Sequence, residues 1–576
     1  MFKKMICMLL CAAILASGIS LCAAAENDAL PFLVATDLHY KPMPQKVPNN
    51  FPGDKYYCSA GYSPSLLSES YAVLQAFLRQ AAASDAEFIL LCGDLTDEGT
   101  MRQHQEMAAY LSAFEQQTGK SVYVIDGNHD FFNRVSVQTF KDLYAELGYS
   151  EALEVDENTC SYTVDLSDKY RLLALDSCKP GYGEDGFTDE LLQWADQQAA
   201  RAKQDGKTLI AMMHHNFLEH FPFQSKIMPA FIVRPELDMK THFLNWGVRY
   251  VFTGHTHAHD VTSYTDKANR TVYDIMTTSL NGYPCKYRSL SLNDSGLDMK
   301  THRIERVDPA DLTEGYTDEL LEELSTDLDQ YALGCFAHAF ENKKDSFIGE
   351  QALSDVLKRF VGEKTAAFLD PFFRSFMQTL FLPIYEPDTP DGKCLADLSR
   401  SLGLTVPETD KKTVSDLVFY FVCVVYEGGE NLPYYDPQIQ LFMQCVYTSL
   451  FESMKTVNTQ TREAILSDLR ANFSGNAVPF AVSAAGELAL GAVKDDRLLE
   501  VTLLMISPLI ESFSKDDDVP DNDAFLPMQN TANPALSFLR QIWTRVYVFL
   551  QRYFSGFARI FKKYPLFSLN KPNYTY

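Results

Sequence analysis

The first half of the chain alternates short apolar runs with longer amphipathic segments, from residue 31 to about residue 308. This alternation is typical of strands separated by helices, and it predicts an α/β domain. The predicted strands cover residues 32–36, 87–92, 121–125, 161–166, 171–175, 208–213 and 249–253. The predicted helices cover residues 65–83, 103–118, 135–147, 189–204 and 236–246.

After residue 257 the pattern changes to strands with no helix between them, at 271–277, 286–292 and 297–303. Three such strands in succession predict a meander that closes the sheet. A segment rich in Pro, Gly, Asn and Tyr, residues 41–61, follows the first predicted strand. We expect it to be a long loop that contributes to specificity, because binding residues concentrate on loops held by a rigid scaffold.

From residue 309 onward, strand patterns give way to helical periodicity. The predicted helices cover residues 317–340, 353–360, 365–380, 414–426, 439–454, 461–470 and 497–513. Two stretches rich in Pro, Gly and Asp, residues 386–392 and 514–523, resemble linkers. The second half of the chain is therefore predicted to be a mostly α-helical domain without identical repeats.

The last predicted helix, residues 535–561, is amphipathic and basic. Arg545, Arg552, Arg559 and Lys563 fall on one stripe of a helix, and aromatic and aliphatic residues fall on the other side. Two interpretations stay open: the helix docks on the acidic body of the protein, or residues 535–563 make a peripheral contact with an anionic membrane surface. The segment lacks the roughly 20 consecutive apolar residues that span a bilayer.

The N-terminus has Lys3 and Lys4, an apolar stretch from 5 to 21, and three alanines ending at Ala25. This pattern predicts a cleavable signal peptide over 1–25 and an extracellular or cell-surface protein. A retained membrane anchor is the alternative, whereas Leu21 before Cys22 disfavours a lipid-attachment site. The predicted layout is a signal peptide at 1–25, an α/β domain at 26–308, a helical domain at 309–523 and a basic tail at 524–576.

Composition supports a folded protein of more than one domain, with 576 residues, 46% hydrophobic and 22% charged. The 12 cysteines include no Cys-x-x-Cys pair, so no disulfide framework is predicted. A single bridge among Cys58, Cys160, Cys178 and Cys285 stays open, since the chain is predicted to be exported.

The net charge of −26 is unevenly distributed along the chain. Of the 50 Lys and Arg residues, two lie in 1–25 and seven in 524–576, which leaves 41 against all 76 acidic residues in 26–523. Nucleic-acid binding relies on Lys and Arg that displace counterions, so this acidic body argues against a nucleic-acid partner.

Five of the predicted strands are followed directly by Asp, Asn or His. These residues are Asp37 and His39, Asp94, Asn128 and His129, His214, and His255 and His257. The carboxyl ends of parallel strands share one edge of a sheet, so the five segments are expected to meet. Such a set suits metal-assisted hydrolysis by two cations about 3.5–4 Å apart, with Asp94 as the central carboxylate. Mixed imidazole and carboxylate ligands favour Mn, Fe, Zn or Co over Mg or Ca.

These segments resemble the ordered sequence blocks of the calcineurin-like metallophosphoesterases. The blocks read Asp37-Leu38-His39, Gly93-Asp94-Leu95-Thr96-Asp97, Gly127-Asn128-His129-Asp130, His214-His215 and Gly254-His255-Thr256-His257. The resemblance covers about residues 30–305 and does not extend to the C-terminal half. It implies a four-layer α/β/β/α sandwich that hydrolyses a phosphodiester or phosphomonoester with a binuclear metal centre.

The resemblance also implies a role for each residue of the set. Asp37, His39 and His257 would hold one metal ion, and Asn128, His214 and His255 would hold the other. Asp94 would bridge them with one oxygen toward each ion. His129 would face the phosphate as a catalytic group, and Asp130 would orient it. His214 rather than His215 is assigned as a ligand because it directly follows the strand.

Several neighbouring residues are weaker candidates. Asp97 stands where purple acid phosphatases have a tyrosine ligand, so a ferric tyrosinate centre is not expected, and Asp97 is predicted to orient a ligating histidine. Four residues beside the motifs either contact substrate or serve packing: Tyr40, Arg134, Asn216 and Tyr283. Asp176, which follows a predicted strand, either supports the ligands or forms a turn.

The leading hypothesis is an exported metal-dependent phosphohydrolase. The alternative is a catalytically silent scaffold that binds partners at the cell surface through its helical half. The complete ligand set, with Asp94, Asn128 and His129 all present, favours the enzyme. No obligate protein partner is inferred from the sequence.

Overall fold

The computed structural model describes most of the N-terminal half of the chain and part of the C-terminal half. The described residues are 29–43, 63–133, 135–178, 186–221, 223–387, 392–430, 432, 436–473, 498 and 520–528. The predicted signal peptide, most of the 41–61 loop, Arg134, nearly all of the helix predicted at 497–513 and the basic helix at 535–561 lie outside the described residues.

The described residues form strands of mostly four to eight residues. They are β1 (Leu30–Ala35), β2 (Phe88–Cys92), β3 (Ser121–Ile125), β4 (Glu154–Val155), β5 (Tyr162–Asp165), β6 (Tyr170–Ala174), β7 (Thr208–Met212), β8 (Tyr250–Thr253), β9 (Asp260–Thr265), β10 (Thr271–Met276), β11 (Lys286–Asn293), β12 (Gly296–Arg303) and β13 (Ala524–Pro527). All strands predicted in the first half of the chain are present, with ends shifted by a few residues.

These strands form two sheets. The first has the order β13-β12-β11-β1-β2-β3, and the second has the order β4-β5-β6-β7-β8-β10-β9. Strands β1, β2 and β3 are parallel, as are β6, β7, β8 and β10. The predicted meander is wrong in part, because β10 belongs to the second sheet whereas β11 and β12 extend the first.

The second sheet is buried on both faces. Along β7, Ile210 and Met212 point to the core between the sheets, whereas Leu209 and Ala211 pack against the outer helices. Successive side chains of a strand point to opposite faces, so a strand buried on both sides reads as a continuous apolar run. The same reason explains why these strands are recognisable in the sequence.

The helices of the described residues fall into two sets. Those of the first half are α1 (Ser70–Ala83), α2 (Met101–Thr118), α3 (Val137–Leu143), α4 (Asp189–Gln204), α5 (Gln224–Ile227) and α6 (Met239–Trp246). Those of the second half are α7 (Asp318–Thr326), α8 (Leu328–Ile348), α9 (Glu350–Val361), α10 (Glu363–Leu380), α11 (Leu395–Ser401), α12 (Val414–Tyr426), α13 (Pro437–Met454) and α14 (Thr459–Phe473).

The first set of helices covers the outer faces of the two sheets. Helices α1 and α2 share a core with the first sheet, and α4 and α6 share one with the second. Between the sheets, the Phe32 and Phe252 rings meet edge to face at 5.6 Å. The result is a four-layer α/β/β/α arrangement, as the resemblance implied, followed by a mostly helical region.

Helices α7 and α8 pack on the same core as the strands, through Leu320, Leu324 and Tyr331. Helices α10 to α14 build a separate apolar core that includes Phe376 and Leu450. The predicted helical region thus begins with two helices that are attached to the α/β layers. No helix in the described part of the chain has both the length and the apolar character needed to cross a membrane.

The short strand β13 pairs antiparallel with β12 at the edge of the first sheet, with Leu526 opposite Leu297. The hydroxyl of Tyr250 donates a 2.7 Å hydrogen bond to the carbonyl of Leu526 and ties this strand to the second sheet as well. No strand was predicted there. A chain segment that follows the helical region therefore completes the first sheet.

Candidate metal centre

The predicted ligand loops meet where five strands of both sheets end. Loops after β1, β2 and β3 come from the first sheet, and loops after β7 and β8 come from the second. Backbone hydrogen bonds join them, from Asp37 N–H to the Gly93 carbonyl at 3.1 Å and from Gly254 N–H to the His214 carbonyl at 2.9 Å. The loops thus form one connected structure around the site.

Five of the predicted ligands have left-handed backbone conformations. Their φ values are 53° at Asp37, 42° at His39, 49° at Asp94, 68° at His255 and 60° at His257. Positive φ is uncommon for residues other than glycine and persists only where the surrounding structure enforces it. The fold therefore accepts backbone strain to turn these side chains toward a common centre.

One group of ligand atoms consists of Asp37, His39 and His257, which lie close enough to hold one ion. The Nε2 atoms of His39 and His257 are 3.1 Å apart, and Nε2 of His257 is 3.1 Å from Oδ1 of Asp37. Oδ2 of Asp37 accepts hydrogen bonds from the Thr36 hydroxyl and the His255 N–H. Oδ1 is buried and accepts none from the described residues, so it is available to a metal.

A second group consists of Asp94, His214 and His255. Nε2 of His214 lies 3.3 Å from Oδ2 of Asp94, 3.2 Å from Oδ1 of Asn128 and 3.2 Å from Nδ1 of His255. Donor atoms separated by about 3 Å can each lie about 2 Å from a common ion, as Zn–N bonds require. The structure thus brings together all seven residues of the predicted ligand set.

Asp94 lies between the two groups, but one of its oxygens faces both. Oδ2 is 3.3 Å from Nε2 of His214 and 3.8 Å from Nε2 of His39. Oδ1 instead accepts a 2.8 Å hydrogen bond from the backbone N–H of His129. The expectation was one oxygen toward each ion, whereas Oδ2 is the oxygen that faces both donor groups in the structure.

Backbone carbonyls fix the orientation of two histidines. Nδ1 of His214 donates to the Cys92 carbonyl at 2.9 Å, and Nε2 of His255 donates to the Ala230 carbonyl at 3.1 Å. The remaining ring nitrogens, Nε2 of His214 and Nδ1 of His255, then face each other at 3.2 Å. Two ring nitrogens this close require a proton or a metal ion between them, so the donor set fits a cation. Sequence reasoning could not find these carbonyls, because they depend on no side chain.

The pKa values differ among the histidines of this cluster. Burial opposes a charge on His214, but Asp94 raises its pKa to about 10. Burial and the neighbouring His129 lower the pKa of His39 to about 3, and burial with His215 lowers that of His255 well below its usual value. A metal that binds His214 would displace its proton, so metal binding would release protons.

His129 lies at the open side of the site, and its side chain is 30% exposed. Its Nδ1 donates a 2.7 Å hydrogen bond to the backbone carbonyl of Asp97, so Nε2 is the nitrogen that remains for a substrate. Nε2 is 4.0 Å from Oδ2 of Asp94. His129 can therefore present Nε2 to a substrate held at the site.

Asp97 and Asp130 act differently from the expectation. The carboxylate of Asp97 lies 3.9 Å from Nδ1 of His39, beyond hydrogen-bond distance, and its backbone carbonyl orients His129 instead. The carboxylate of Asp130 accepts hydrogen bonds from Leu95 N–H, Gly127 N–H, and the N–H and hydroxyl of Thr96. Asp130 thus holds two ligand loops together rather than orienting the His129 ring.

The weaker candidates mostly support the fold. Asn216 is buried and bonded to Thr253 and Thr256. The hydroxyl of Tyr40 donates to Glu106, and the ring of Tyr283 stacks on Phe336. His215 is buried, with Nδ1 2.9 Å from the Ser177 hydroxyl, and it lies beside the second ligand group rather than in it.

Asp176 is a buried carboxylate below the ligand loops. It accepts hydrogen bonds from the N–H groups of Cys160 and Cys178. Burial and the nearby Asp176 raise the pKa of Asp126 well above its usual value. No disulfide bond joins two cysteines within the described part of the chain.

Two glycines permit the loops to approach so closely. A Cβ atom at Gly127 would overlap the backbone nitrogen and carboxylate of Asp94, and one at Gly254 would overlap Thr36 and the carboxylate of Asp37. Both glycines belong to the quoted motifs, but the sequence alone does not say which atoms they accommodate.

Comparison with known families agrees with this site. Residues 30–259 match the family described as calcineurin-like phosphoesterase. The C-terminal half has no family match. Together with the clustered candidate ligands, the calcineurin-like phosphoesterase region supports a phosphoesterase hydrolase.

Solved structures similar to the chain are distant in sequence. A dimetal phosphatase from Danio rerio is 14% identical, with 48% of this chain and 97% of that chain covered and a TM-score of 0.37. The purple acid phosphatase PPD1 from yellow lupin (Lupinus luteus) seeds is 11% identical, with 49% and 53% covered and a TM-score of 0.34. No curated protein matches the chain.

Proposed function

We propose that this protein is an exported phosphohydrolase that cleaves a phosphodiester or phosphomonoester with two divalent metal ions. Mn, Fe, Zn and Co are the candidate ions, because the ligand atoms are imidazole nitrogens and carboxylate and amide oxygens. The observation that carries the proposal is the pair of donor groups that share Oδ2 of Asp94. Two ions held this way would act as Lewis acids on the phosphoryl group and lower the pKa of water.

The chain's own residues have distinct tasks in this proposal. Asp94 fixes the spacing of the two donor groups and offsets their charge. His129 hydrogen-bonds a phosphoryl oxygen or, when protonated at Nε2, gives its proton to the leaving oxygen. His129 and His257 have side chains that are 30% and 17% exposed, whereas those of Asp37 and His214 are fully buried. The substrate therefore approaches from the side of His129 and His257.

The substrate's organic group is left open by this proposal, and the acidic body argues against nucleic acid. The comparison of p-nitrophenyl phosphate with bis-p-nitrophenyl phosphate distinguishes monoester from diester preference. Purified protein loaded with Mn or Zn is expected to hydrolyse at least one of them. Metal content measured on the same sample should approach two ions per chain.

The decisive variant is Asp94→Asn. We expect its turnover to fall by about 10³-fold or more and its metal content to fall as well, because a neutral amide does not offset two adjacent cations. Asp298→Asn, an exposed position on β12, is the matched control and should keep full activity. Equal turnover by Asp94→Asn and the parent protein would reject the two-metal proposal.

Export is a separate part of the proposal and has its own test. Mass spectrometry of protein from the culture supernatant should give a mature N-terminus at Glu26. A protein that keeps residues 1–25 and stays with the membrane fraction would instead support the retained anchor.

A further inference from the structure

Three carboxylates from distant parts of the chain meet outside the candidate metal centre. Asp260 begins β9, Glu430 follows α12, and Asp521 precedes β13. One oxygen from each lies within 4.8 Å of the other two. Their exposed fractions are 8%, 6% and 3%, so all three are buried. We call them the junction carboxylates, since they join the second sheet, the helical region and the C-terminal segment.

Glu430 is the least satisfied member of this group. Its Oε2 atom is buried and accepts no hydrogen bond from any described residue. By contrast, Oδ1 of Asp521 accepts a 2.9 Å hydrogen bond from Val261 N–H, and Asp260 accepts one from Nδ1 of His220. A buried carboxylate oxygen without a donor or a cation is costly. Glu430 therefore points to a positively charged ligand among the junction carboxylates.

The basic groups nearby do not fill this role. His220 contacts Asp260 through Nδ1 and approaches Asp274 through Nε2 at 3.4 Å, so Asp260 is the one junction carboxylate with which it pairs. The guanidinium of Arg288 donates to the backbone carbonyls of Met276 and Asp521 and to the Thr277 hydroxyl. The hydrogen bonds of Arg288 thus go to uncharged groups, and neither cation is directed to Oε2 of Glu430.

The site is also held in place by independent contacts. The amide of Asn522 donates to the carbonyls of Glu427 and Gly428 at 3.1 and 2.9 Å. His259 N–H donates to the Val425 carbonyl at 3.3 Å. These bonds position Glu430 and Asp521 beside Asp260 before any ligand binds. A preorganised group of oxygen atoms is what a cation site requires.

We propose that Asp260, Glu430 and Asp521 bind a Ca²⁺ ion that fastens the helical region and the β13 segment to the second sheet. The ligand atoms are all carboxylate oxygens, which suit a hard cation, and Ca²⁺ accepts irregular oxygen sites at about 2.3–2.6 Å. Oxygens separated by at most 4.8 Å can share such an ion after a small adjustment. The site is structural and is separate from the residues of phosphoester hydrolysis.

The test uses full-length mature protein treated with a chelator and then titrated with Ca²⁺. We expect Ca²⁺ to raise the melting temperature by several degrees, because an ion that binds only the folded state stabilises it. Tb³⁺ luminescence, with Tb³⁺ as a Ca²⁺ substitute, should report one site that Ca²⁺ competes for. The Asp94→Asn variant should keep both responses, which separates this site from the candidate metal centre.

Glu430→Gln should lose the Ca²⁺-dependent shift and weaken Ca²⁺ binding at least 10-fold. Glu408→Gln, at an exposed glutamate of the helical region, is the matched control and should behave as the parent protein. If Glu430→Gln does not fold, Glu430→Asp keeps the charge but shortens the side chain, and it should weaken Ca²⁺ binding without loss of the fold. Equal Ca²⁺ responses in these Glu430 variants and the parent would overturn the proposal. A parent protein that ignores Ca²⁺ and gains stability in acid would show that a shared proton occupies the junction carboxylates instead.

Discussion

The backbone N–H of His129 donates a 2.8 Å hydrogen bond to Oδ1 of Asp94. This bond fixes the plane of the carboxylate, so that Oδ2 is the oxygen that faces both histidine groups. His129 thus has two tasks. Its imidazole is proposed to meet the leaving group, and its backbone N–H orients the carboxylate of Asp94. The side chain and backbone of His129 can therefore be separated by mutation.

His129→Gln keeps the backbone hydrogen bond to Asp94 and removes the imidazole. We expect kcat to fall about 10²- to 10⁴-fold, as is usual when a general acid is removed, with metal content unchanged. The loss should be larger for phenyl phosphate than for p-nitrophenyl phosphate, because a poorer leaving group depends more on protonation. The exposed His302→Gln variant serves as the control. Equal losses for both substrates would argue against proton donation by His129.

Gly127→Ala places a methyl group against the backbone nitrogen and carboxylate of Asp94. We expect at least a 10-fold loss of activity together with reduced metal content, because the ligand loops must move apart. Gly429→Ala is a suitable control, since its nearest neighbouring atom would be 3.4 Å away. Metal analysis and turnover of the two purified variants check this expectation, and full metal occupancy in Gly127→Ala would contradict it.

Arg359 on α9 connects the helical region to the metal centre. Its guanidinium donates to the carbonyls of Lys226 and Ile227 at 3.2 and 3.1 Å, in the segment that leads to Ala230. Because the Ala230 carbonyl orients His255, Arg359→Ala should weaken metal binding and activity by up to about 10-fold. Arg374→Ala, which removes an exposed ion pair with Asp370, should have little effect. Metal titrations of both variants would distinguish them, and matching affinities would rule out this connection.

Glu69 provides a pH-dependent contribution to stability. Burial raises the pKa of its carboxyl from 4.5 to about 7, although the hydroxyls of Tyr316 and Tyr331 donate to Oε1. The folded protein therefore binds a proton more tightly than the unfolded chain. The contribution of this bound proton to the free energy of unfolding is fully present below pH 4.5. It is lost as the pH rises toward about 7, where the free energy of unfolding has fallen by on the order of 3 kcal/mol.

Glu69→Gln stays neutral at every pH and should be more stable than the parent protein at pH 8. At pH 5 the two should differ much less. Urea unfolding at the two pH values measures both differences, and the exposed Glu87→Gln variant is the control. If the difference in stability between Glu69→Gln and the parent protein were the same at pH 5 and pH 8, the raised pKa of Glu69 would be contradicted.

The strands and the site residues were predictable for the same physical reason. Strands such as β7 are buried on both faces, so they appear as short apolar runs, and the ligands follow where each run ends. His214 and Asp94 could thus be assigned to one site without a structure. Whether they bind metal ions, as the resemblance implied, stays a prediction.

Sheet membership was not predictable from local patterns. Strands β10 and β11 follow each other along the chain, yet they belong to different sheets. Only long-range pairing with β8 and β1 distinguishes them. The Cys92 and Ala230 carbonyls that orient His214 and His255 were not predictable for the same reason. Their positions depend on the fold and not on the side chains of those two residues.

The pairing of β13 with β12 also has a consequence for biosynthesis. The other strands of the first sheet are translated by residue 303, but β13 ends at Pro527, after the helical region. Until the ribosome has passed that point, β12 presents unpaired backbone groups at the edge of the sheet. Such an edge readily pairs with another chain, so nascent or prematurely terminated polypeptides are the species most prone to aggregate.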